Sequence, residues 1–468
     1  MSSILRPNSI SRLGAKAVGD SIDEDSGVYK RRRIRVKRRR SLIASAVALA
    51  VLAAGLMATA ISAKPTKRSA GSIEVLSLWG GSEKDAFLKV AAAFTKKTGT
   101  KVEFTSARDF IPEVRTRLAA GNPPDIGILP RPGYIGTLAK SGALKTLASL
   151  GITNAYMKGN YSAGWLKLGS SGGKLYGVPA KANSKSVIWY KPDSFKKYKF
   201  AIPKTWAQLL SITKKYKAKG LVPWSVGAGP SQSQWTLTDW FENIYARTAG
   251  PAKYQALFTG KLKFTDPSVA NAARIMTQII NNKYVLNGVQ GVLGQSFVGG
   301  ITDVFGTNSK AQLYFEGGFV GGIATSPDVN PKLKAGKTIG DFPWPTIKAS
   351  LDHPVVGAAD FAGAFKDNAE VRSFLKYIST GAAGKIWVST NAVTSPNKKV
   401  PASAYPSALV KAEVKQLATA KTFLFDGSDL LPGAFGDTWG FALQDVIQKP
   451  GNIKSILSTF QGKIQGQF

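Results

Sequence analysis

Ile73-Glu74-Val75-Leu76-Ser77-Leu78-Trp79-Gly80-Gly81-Ser82-Glu83-Lys84-Asp85 carries the chain from one kind of structure to another. The first seven residues are apolar and β-prone, and the glycine pair breaks the run. Ser82 to Asp85 has the Ser-x-x-acid spacing of a capping box, which predicts a helix opening there. Phe87, Val90, Ala91 and Phe94 follow at i, i+3, i+4 and i+7, a single apolar stripe. Gly99 stops the helix, and Val102 and Phe104 begin an alternating strand. This is a βαβ unit. In open α/β sheets, ligands gather outside the carboxyl ends of the strands. Trp79, a flat ring at such an end, is a candidate ligand platform.

The same alternation continues to about Val187 and predicts a largely parallel sheet. Gly121-Asn122-Pro123-Pro124-Asp125 breaks the chain before the apolar strand Ile126 to Leu129, and Arg131-Pro132-Gly133 ends that strand sharply. Ser186 to Tyr190 is a further strand. From about 192 to 325 the pattern is more helical: Thr205 caps one helix, and Asp266-Pro267 opens another with Pro at its first position. Leu313-Tyr314-Phe315 is a strand. Strand character returns after 340, then Val371, Phe374, Leu375 and Ile378 mark an amphipathic helix, and Thr438 to Ile447 and Ile453 to Ile464 are helical. Sheet, helices, sheet and helices again imply two lobes built from discontinuous segments.

Composition narrows the chemistry. The 468 residues contain no cysteine and one histidine, His353. Disulfides, thiolate sites and His-rich metal sites are therefore excluded, and no metal or cofactor is expected. The net charge is +35, and 51 basic against 24 acidic residues remain beyond position 63. The lysines there are scattered, without a dense arginine block, so a basic surface coat is favoured over nucleic-acid recognition. Residues 1–40 form a basic tail that ends in the block Lys30 to Arg40. Ser41 to Ala63 then runs 23 residues without a charge. Basic flank followed by apolar run is the order of a signal peptide or an uncleaved signal anchor. Both place the body outside the cytoplasmic membrane, either anchored at its outer face or free in the periplasm.

With these motifs assembled, the chain resembles the extracellular solute-binding proteins of ABC sugar importers, the class that includes maltose-binding protein. It is most similar to the α-glucoside-binding branch. The resemblance runs in order through Leu78-Trp79-Gly80, Gly121 to Ile126, Arg131-Pro132-Gly133, Leu175 to Pro179, Trp189-Tyr190, Pro203 to Trp206, Thr238-Asp239-Trp240, Glu316-Gly317, Gly357 with Asp360, and Phe425 to Pro432. It implies an α/β, two-lobed periplasmic-binding-protein fold of type II with a multi-strand hinge, closing on a sugar. The expected lobes are 72–183 with 325–388, and 184–324 with 389–468. Crossovers are expected near 181–186, between 318 and 344, and near 386–396. The implied partners are an oligosaccharide and membrane permease subunits, with the protein a monomer and not an enzyme. Relatives in single-membrane bacteria usually carry a lipid-anchored cysteine after the signal, which this chain lacks.

A sugar needs flat aromatic surface for its ring face and fixed polar groups for its hydroxyls. The platform candidates are Trp79, Trp235, Trp240 and Trp439, the last at the place where the resemblance puts a stacking ring. The polar candidates are Glu83, Arg131, Asn183, Asp239, Glu316, Asp360 and Asp429. Gly169-Ser170-Ser171-Gly172-Gly173 formally fits G-x-S-x-G, but it lacks the strand-to-helix context of a nucleophile elbow. A two-carboxylate glycosidase, a basic surface-binding protein and an anionic ligand such as a uronate oligosaccharide stay open as alternatives.

Overall fold

The computed structural model describes residues 71–107, 109–229, 233–351, 353–390 and 393–468. The basic tail and the apolar run of residues 1–63 lie outside the described residues. Among the described residues, no helix is long and apolar enough to cross a membrane.

β1 (Ser72–Ser77) pairs in parallel with β2 (Lys101–Ser106) and β3 (Ile126–Leu129), with helix α1 (Gly81–Thr98) as the first crossover. α1 starts one residue before the expected capping box. Extended Gly80 is its N-cap, no side chain caps it, and the Ser82 hydroxyl is buried without a partner. Glu83 is thus left free to face the site. Gly99, at φ 78°, ends the helix in the left-handed region that suits glycine. After β3 comes α2 (Pro132–Lys140), with Pro132 in its first turn.

β4 (Gly177–Ser184) leads through two residues into β5 (Val187–Tyr190). Then come β6 (Val222–Trp224), α3 (Trp235–Thr248), β7 (Ala311–Phe315), α4 (Val320–Ala324), β8 (Gly340–Pro343), β9 (Val355–Ala364), α5 (Ala408–Thr419), β10 (Phe423–Phe425) and α6 (Phe435–Gln448). The first sheet runs β10-β9-β3-β1-β2, with β4 on the other side of β9. It is mixed rather than largely parallel. β9 enters from the other lobe and so runs antiparallel to both β3 and β4. The second sheet runs β8-β5-β7-β6.

Each sheet is covered on both faces. Trp79, Phe87, Val178, Phe374 and Trp387 pack on one face of the first sheet, and Leu76, Phe110, Ile135 and Phe361 on the other. The second sheet has Trp224, Trp240, Phe315 and Trp439 on one side, and Trp189, Ile301 and Tyr314 on the other.

The chain passes between the sheets at 184–187 and again between 343 and 355. Residues 426–434 lead from β10 to α6. Two segments differ from the expected division. β8 pairs with β5 in the second sheet, with Phe342 packed on Tyr190 and Phe195, whereas the expected first lobe takes in residues 325–388. Val393, Tyr405 and Val410 pack with Trp79 and Phe374 in the first lobe, and Thr394 bridges to Ala182 of β4. The return from the second sheet therefore falls later than expected. At the start of α2, a Cβ on Gly133 would lie 2.5 Å from the Leu431 carbonyl oxygen, so only glycine lets the 426–434 crossing pass this close.

Candidate functional site

Between the two sheets lies a cavity of about 490 Å³. The first lobe supplies Glu83 from α1, Arg131 from the end of β3, Lys181 and Asn183 from β4, and Asp360 from β9. The second supplies Trp235 from the start of α3, Phe297 and Phe319. Lys185 and Asp429 come from the crossing segments. Glu83 and Trp235 sit in first helical turns and Arg131 at the turn after β3, whereas Lys181 and Asp360 face each other across the paired strands β4 and β9.

The second-lobe wall is aromatic. Trp235 sits 5.0 Å from Phe297 and 6.1 Å from Phe319, centroid to centroid, in tilted or edge-on contacts. The first-lobe wall is ionic. Lys181 Nζ binds Glu83 and lies 3.1 Å from Asp360 Oδ2. Asp360 is also fixed from below by the Trp79 indole, whose Nε1 donates to Oδ2 at 2.7 Å. Burial works against the charge of Lys181, but Asp360 and Glu83 outweigh it and raise its pKa.

At the floor, Lys185 Nζ binds Asp426 and lies 3.0 Å from Asp239 Oδ1, with the Trp235 ring 5.1 Å away. Burial opposes this ammonium too, and the surrounding carboxylates raise its pKa well above the ordinary value. Asp426 is held down at about 2: burial is outweighed by Lys185 and by hydrogen bonds from Lys185, Ser428 Oγ and the Asp429 N–H. Asp239 is pushed up to about 7, first by burial, against the pull of Lys185. Glu316 is also pushed well up, by burial and by Asp239. Neither Glu316 oxygen nor Asp239 Oδ2 has a donor as long as both are ionised. The raised pKa values of both groups fit a proton held between the two carboxyls, which would pair one oxygen of each and leave one Glu316 oxygen without a donor.

Arg131 closes the far end. Its Nη1 and Nη2 bind Asp437 at 3.0 and 2.8 Å, and Nε lies 3.1 Å from Asp429. Burial disfavours this charge, and Asp437 and Asp429 more than offset it, raising the pKa. Asp437 belongs to α6, so the pair ties the end of β3 to a second-lobe helix.

Asp239, Glu242 and Asp426 bring carboxylate oxygens within 4.8 Å of one another. Glu242, however, accepts Tyr254 Oη–H and the N–H groups of Gly427 and Ser428, and Lys185 supplies the positive charge. The donors present suit a lysine there rather than a metal ion.

Of the sequence candidates, Glu83, Arg131, Asn183, Trp235, Asp360 and Asp429 line the cavity. The others stand behind it. Trp79 is fully buried, 5.5 Å edge-on from Trp387. Trp240 packs among Trp224, Phe315 and Trp344. Trp439 packs among Phe241, Phe264 and Phe460. All three bury their rings because a strand end or a helix core face offered a packed pocket. Asp239 and Glu316 are fully buried beneath Lys185. Lys181, Lys185, Phe297 and Phe319 escape the sequence reading. The two lysines do carry a signal, since Ala180-Lys181-Ala182-Asn183-Ser184-Lys185 places both in a stretch otherwise built of small residues.

Residues 89–419 match the family model of the bacterial extracellular solute-binding proteins. The α-glucosides-binding periplasmic protein AglE of Rhizobium meliloti is 30% identical over 377 residues, 78% of this chain and 81% of that protein. The osmoprotective compounds-binding protein GgtB of Synechocystis is 29% identical over 78% of this chain and 85% of its own length. Among solved structures, the solute receptor AcbH, described as preferring β-D-galactopyranose, superposes with TM-score 0.75 at 18% identity over 86% of this chain and 100% of that one. Maltose-bound MalE3 of T. maritima gives 0.69 at 16%, over 85% and 100%. With the family model covering most of the described body and both curated relatives spanning nearly the same length, the chain belongs to the bacterial extracellular solute-binding proteins, in the maltose-binding-like class.

Proposed function

We propose that this protein captures a neutral oligosaccharide, an α-glucoside, in the cavity between its lobes and delivers it to the membrane permease of an ABC importer. The observation that carries the reading is the charge balance of the cavity wall. Arg131, Lys181 and Lys185 face Glu83, Asp360 and Asp429, and every cation is held by carboxylates. Such a wall offers fixed hydroxyl partners and no uncompensated charge for an anion to neutralise. The Trp235–Phe297–Phe319 wall offers apolar surface for a ring face. This pairing favours a neutral sugar over a uronate oligosaccharide. The α-glucoside specificity draws support from the likeness to AglE, and the name of GgtB adds small osmoprotective solutes as a second class to test.

The protein acts as a monomer, leaves its ligand unchanged, and works outside the cytoplasmic membrane with residues 41–63 as its leader or anchor. N-terminal sequencing of exported protein separates a cleaved leader from a retained anchor. The decisive test is a thermal-shift screen over maltose, trehalose, sucrose, cellobiose and glucuronate, because a ligand bound at 100 times its Kd stabilises the native state by about 2.7 kcal/mol. A rise with an α-glucoside and none with glucuronate is expected. A rise with glucuronate alone, or free glucose released from maltose, refutes the reading.

A further inference from the structure

Glu413 lies on α5, away from the cleft in sequence, and its carboxyl group is buried where the lobes meet. Oε1 accepts the backbone N–H of Ser184 at 2.7 Å, and Oε2 the hydroxyl of Thr394 at 2.9 Å. Ser184 is the last residue of β4 before the chain crosses to the second lobe. Its carbonyl in turn accepts the N–H of Gly318 at 2.9 Å, from the stretch between β7 and α4. Gly318 presses directly on the acid: a Cβ there would stand 2.1 Å from the carboxyl carbon and 2.2 Å from each oxygen. Nearly one turn along α5, Gln416 donates to the Ser186 carbonyl at 3.0 Å and accepts from Ser184 Oγ. Val410 and Val414 pack α5 on the first lobe. An acid of the first lobe therefore grips the crossing strand by its backbone and touches the backbone of the second lobe.

We propose that Glu413 is a positioning residue for ligand capture, coupling the meeting of the two lobes to uptake of one proton at this seam. This rests on the capture reading above.

The donors to Glu413 are neutral, and the carboxyl is cut off from water. Burial pushes its pKa up to about 7, against the hydrogen bonds from Ser184 and Thr394. The charged and titratable groups facing it are Asp341 of β8, which raises it, Lys181 of β4, which lowers it, and Tyr405, whose own pKa Glu413 helps to raise. Lys411 and Lys415, on its own helix, are exposed. Parting the lobes at Gly318 admits water and returns the acid toward its ordinary range. The arrangement described here therefore binds the proton more tightly than a parted one. By linkage it loses favour as pH rises from about 5 through 7.

Two readouts separate this inference from the sugar reading. The chain has no cysteine, so Lys140→Cys and Lys214→Cys, one exposed position on each lobe, can carry spin labels for an interlobe distance without any ligand. That distance is expected to lengthen between pH 5 and pH 8 and to stay constant in Glu413→Gln. Titrated with maltose, or with sucrose or trehalose where these raise Tm more, the protein is expected to lose about three- to tenfold in affinity over the same range, and Glu413→Gln less than twofold. Gly318→Ala is expected to weaken binding at every pH, and Glu413→Ala in the same chain to restore most of it. Identical pH profiles for the parent and Glu413→Gln overturn the inference, and so does a Gly318→Ala variant with parental distance and affinity. Should no sugar bind, the capture reading fails and the label distance alone decides this one.

Discussion

Replacing Trp79 by alanine removes a side chain that is wholly buried and touches Phe87 at 6.0 Å and Trp387 at 5.5 Å between ring centroids. Such a truncation leaves a cavity and costs about 3–5 kcal/mol, roughly a 4–6 °C fall in Tm for a body of this size. The indole also donates to Asp360 Oδ2 at 2.7 Å, and a hydrogen bond to a carboxylate contributes about 1.5–3 kcal/mol. Trp79→Phe isolates this second effect, since it keeps most of the ring and removes the N–H. Asp360 retains Lys181, so the expected loss is at the low end: about 1–2 kcal/mol in stability and three- to tenfold in sugar affinity. Differential scanning calorimetry reads the first quantity and isothermal titration the second. A Trp79→Ala variant with parental Tm but no binding would refute the reasoning, because it would place the indole against the ligand rather than beneath its acid.

Lys185→Met is expected to be among the most damaging single changes, about 3–5 kcal/mol in urea unfolding, because it leaves Asp239 and Asp426 buried without their cation; a loss under 1 kcal/mol would mean that the cluster repacks or takes up protons freely. The Asp239–Glu316 pair sets a pH trend. The folded pKa of Asp239 is raised to about 7, so its stabilising effect is complete below the unfolded carboxylate range and is lost as pH rises through 7. One such proton gives a slope of about 1.4 kcal/mol per pH unit between roughly pH 4 and 7. Asp239→Asn is expected to remove that part of the slope, and an unchanged urea midpoint-versus-pH curve would contradict the shared proton.

Much of the first lobe was legible from periodicity. The apolar stripe of α1, the strands β1 to β3 and the sharp turn at Arg131-Pro132-Gly133 stand where the pattern puts them, since each is a local signal. β8 was not legible. Nothing local in Gly340-Asp341-Phe342-Pro343 names its partner, and the antiparallel pairing with β5 places it in the second sheet. Long-range pairing also turned β9 antiparallel.

At the site, breaks in the pattern pointed to Glu83 and Arg131, which line the cavity, whereas Asp360 lines it from within the paired strand β9 rather than from a turn. The tryptophans were harder, because a position next to a strand end says nothing about which way an indole turns. One distinction was available. Trp235 and Trp240 share α3, and residues five apart lie about 140° apart around a helix, so one faces the cleft and the other the core. Lys181 and Lys185 are not among the sequence candidates, although both stand in a run of small residues.

The ion pairs of the cleft wall separate the electrical character of the binding site from that of the molecule around it. The chain carries +35, yet the ionic wall of the cavity balances its own charges over a few ångströms, well inside a Debye length of about 8–10 Å. A neutral ligand is then neither drawn in nor repelled by the coat, and its affinity is insensitive to ionic strength. The coat itself is free to drift. Lysines can be gained or lost over the outside of the protein, altering its solubility and its attraction to anionic surfaces, while what the protein holds between its lobes stays the same.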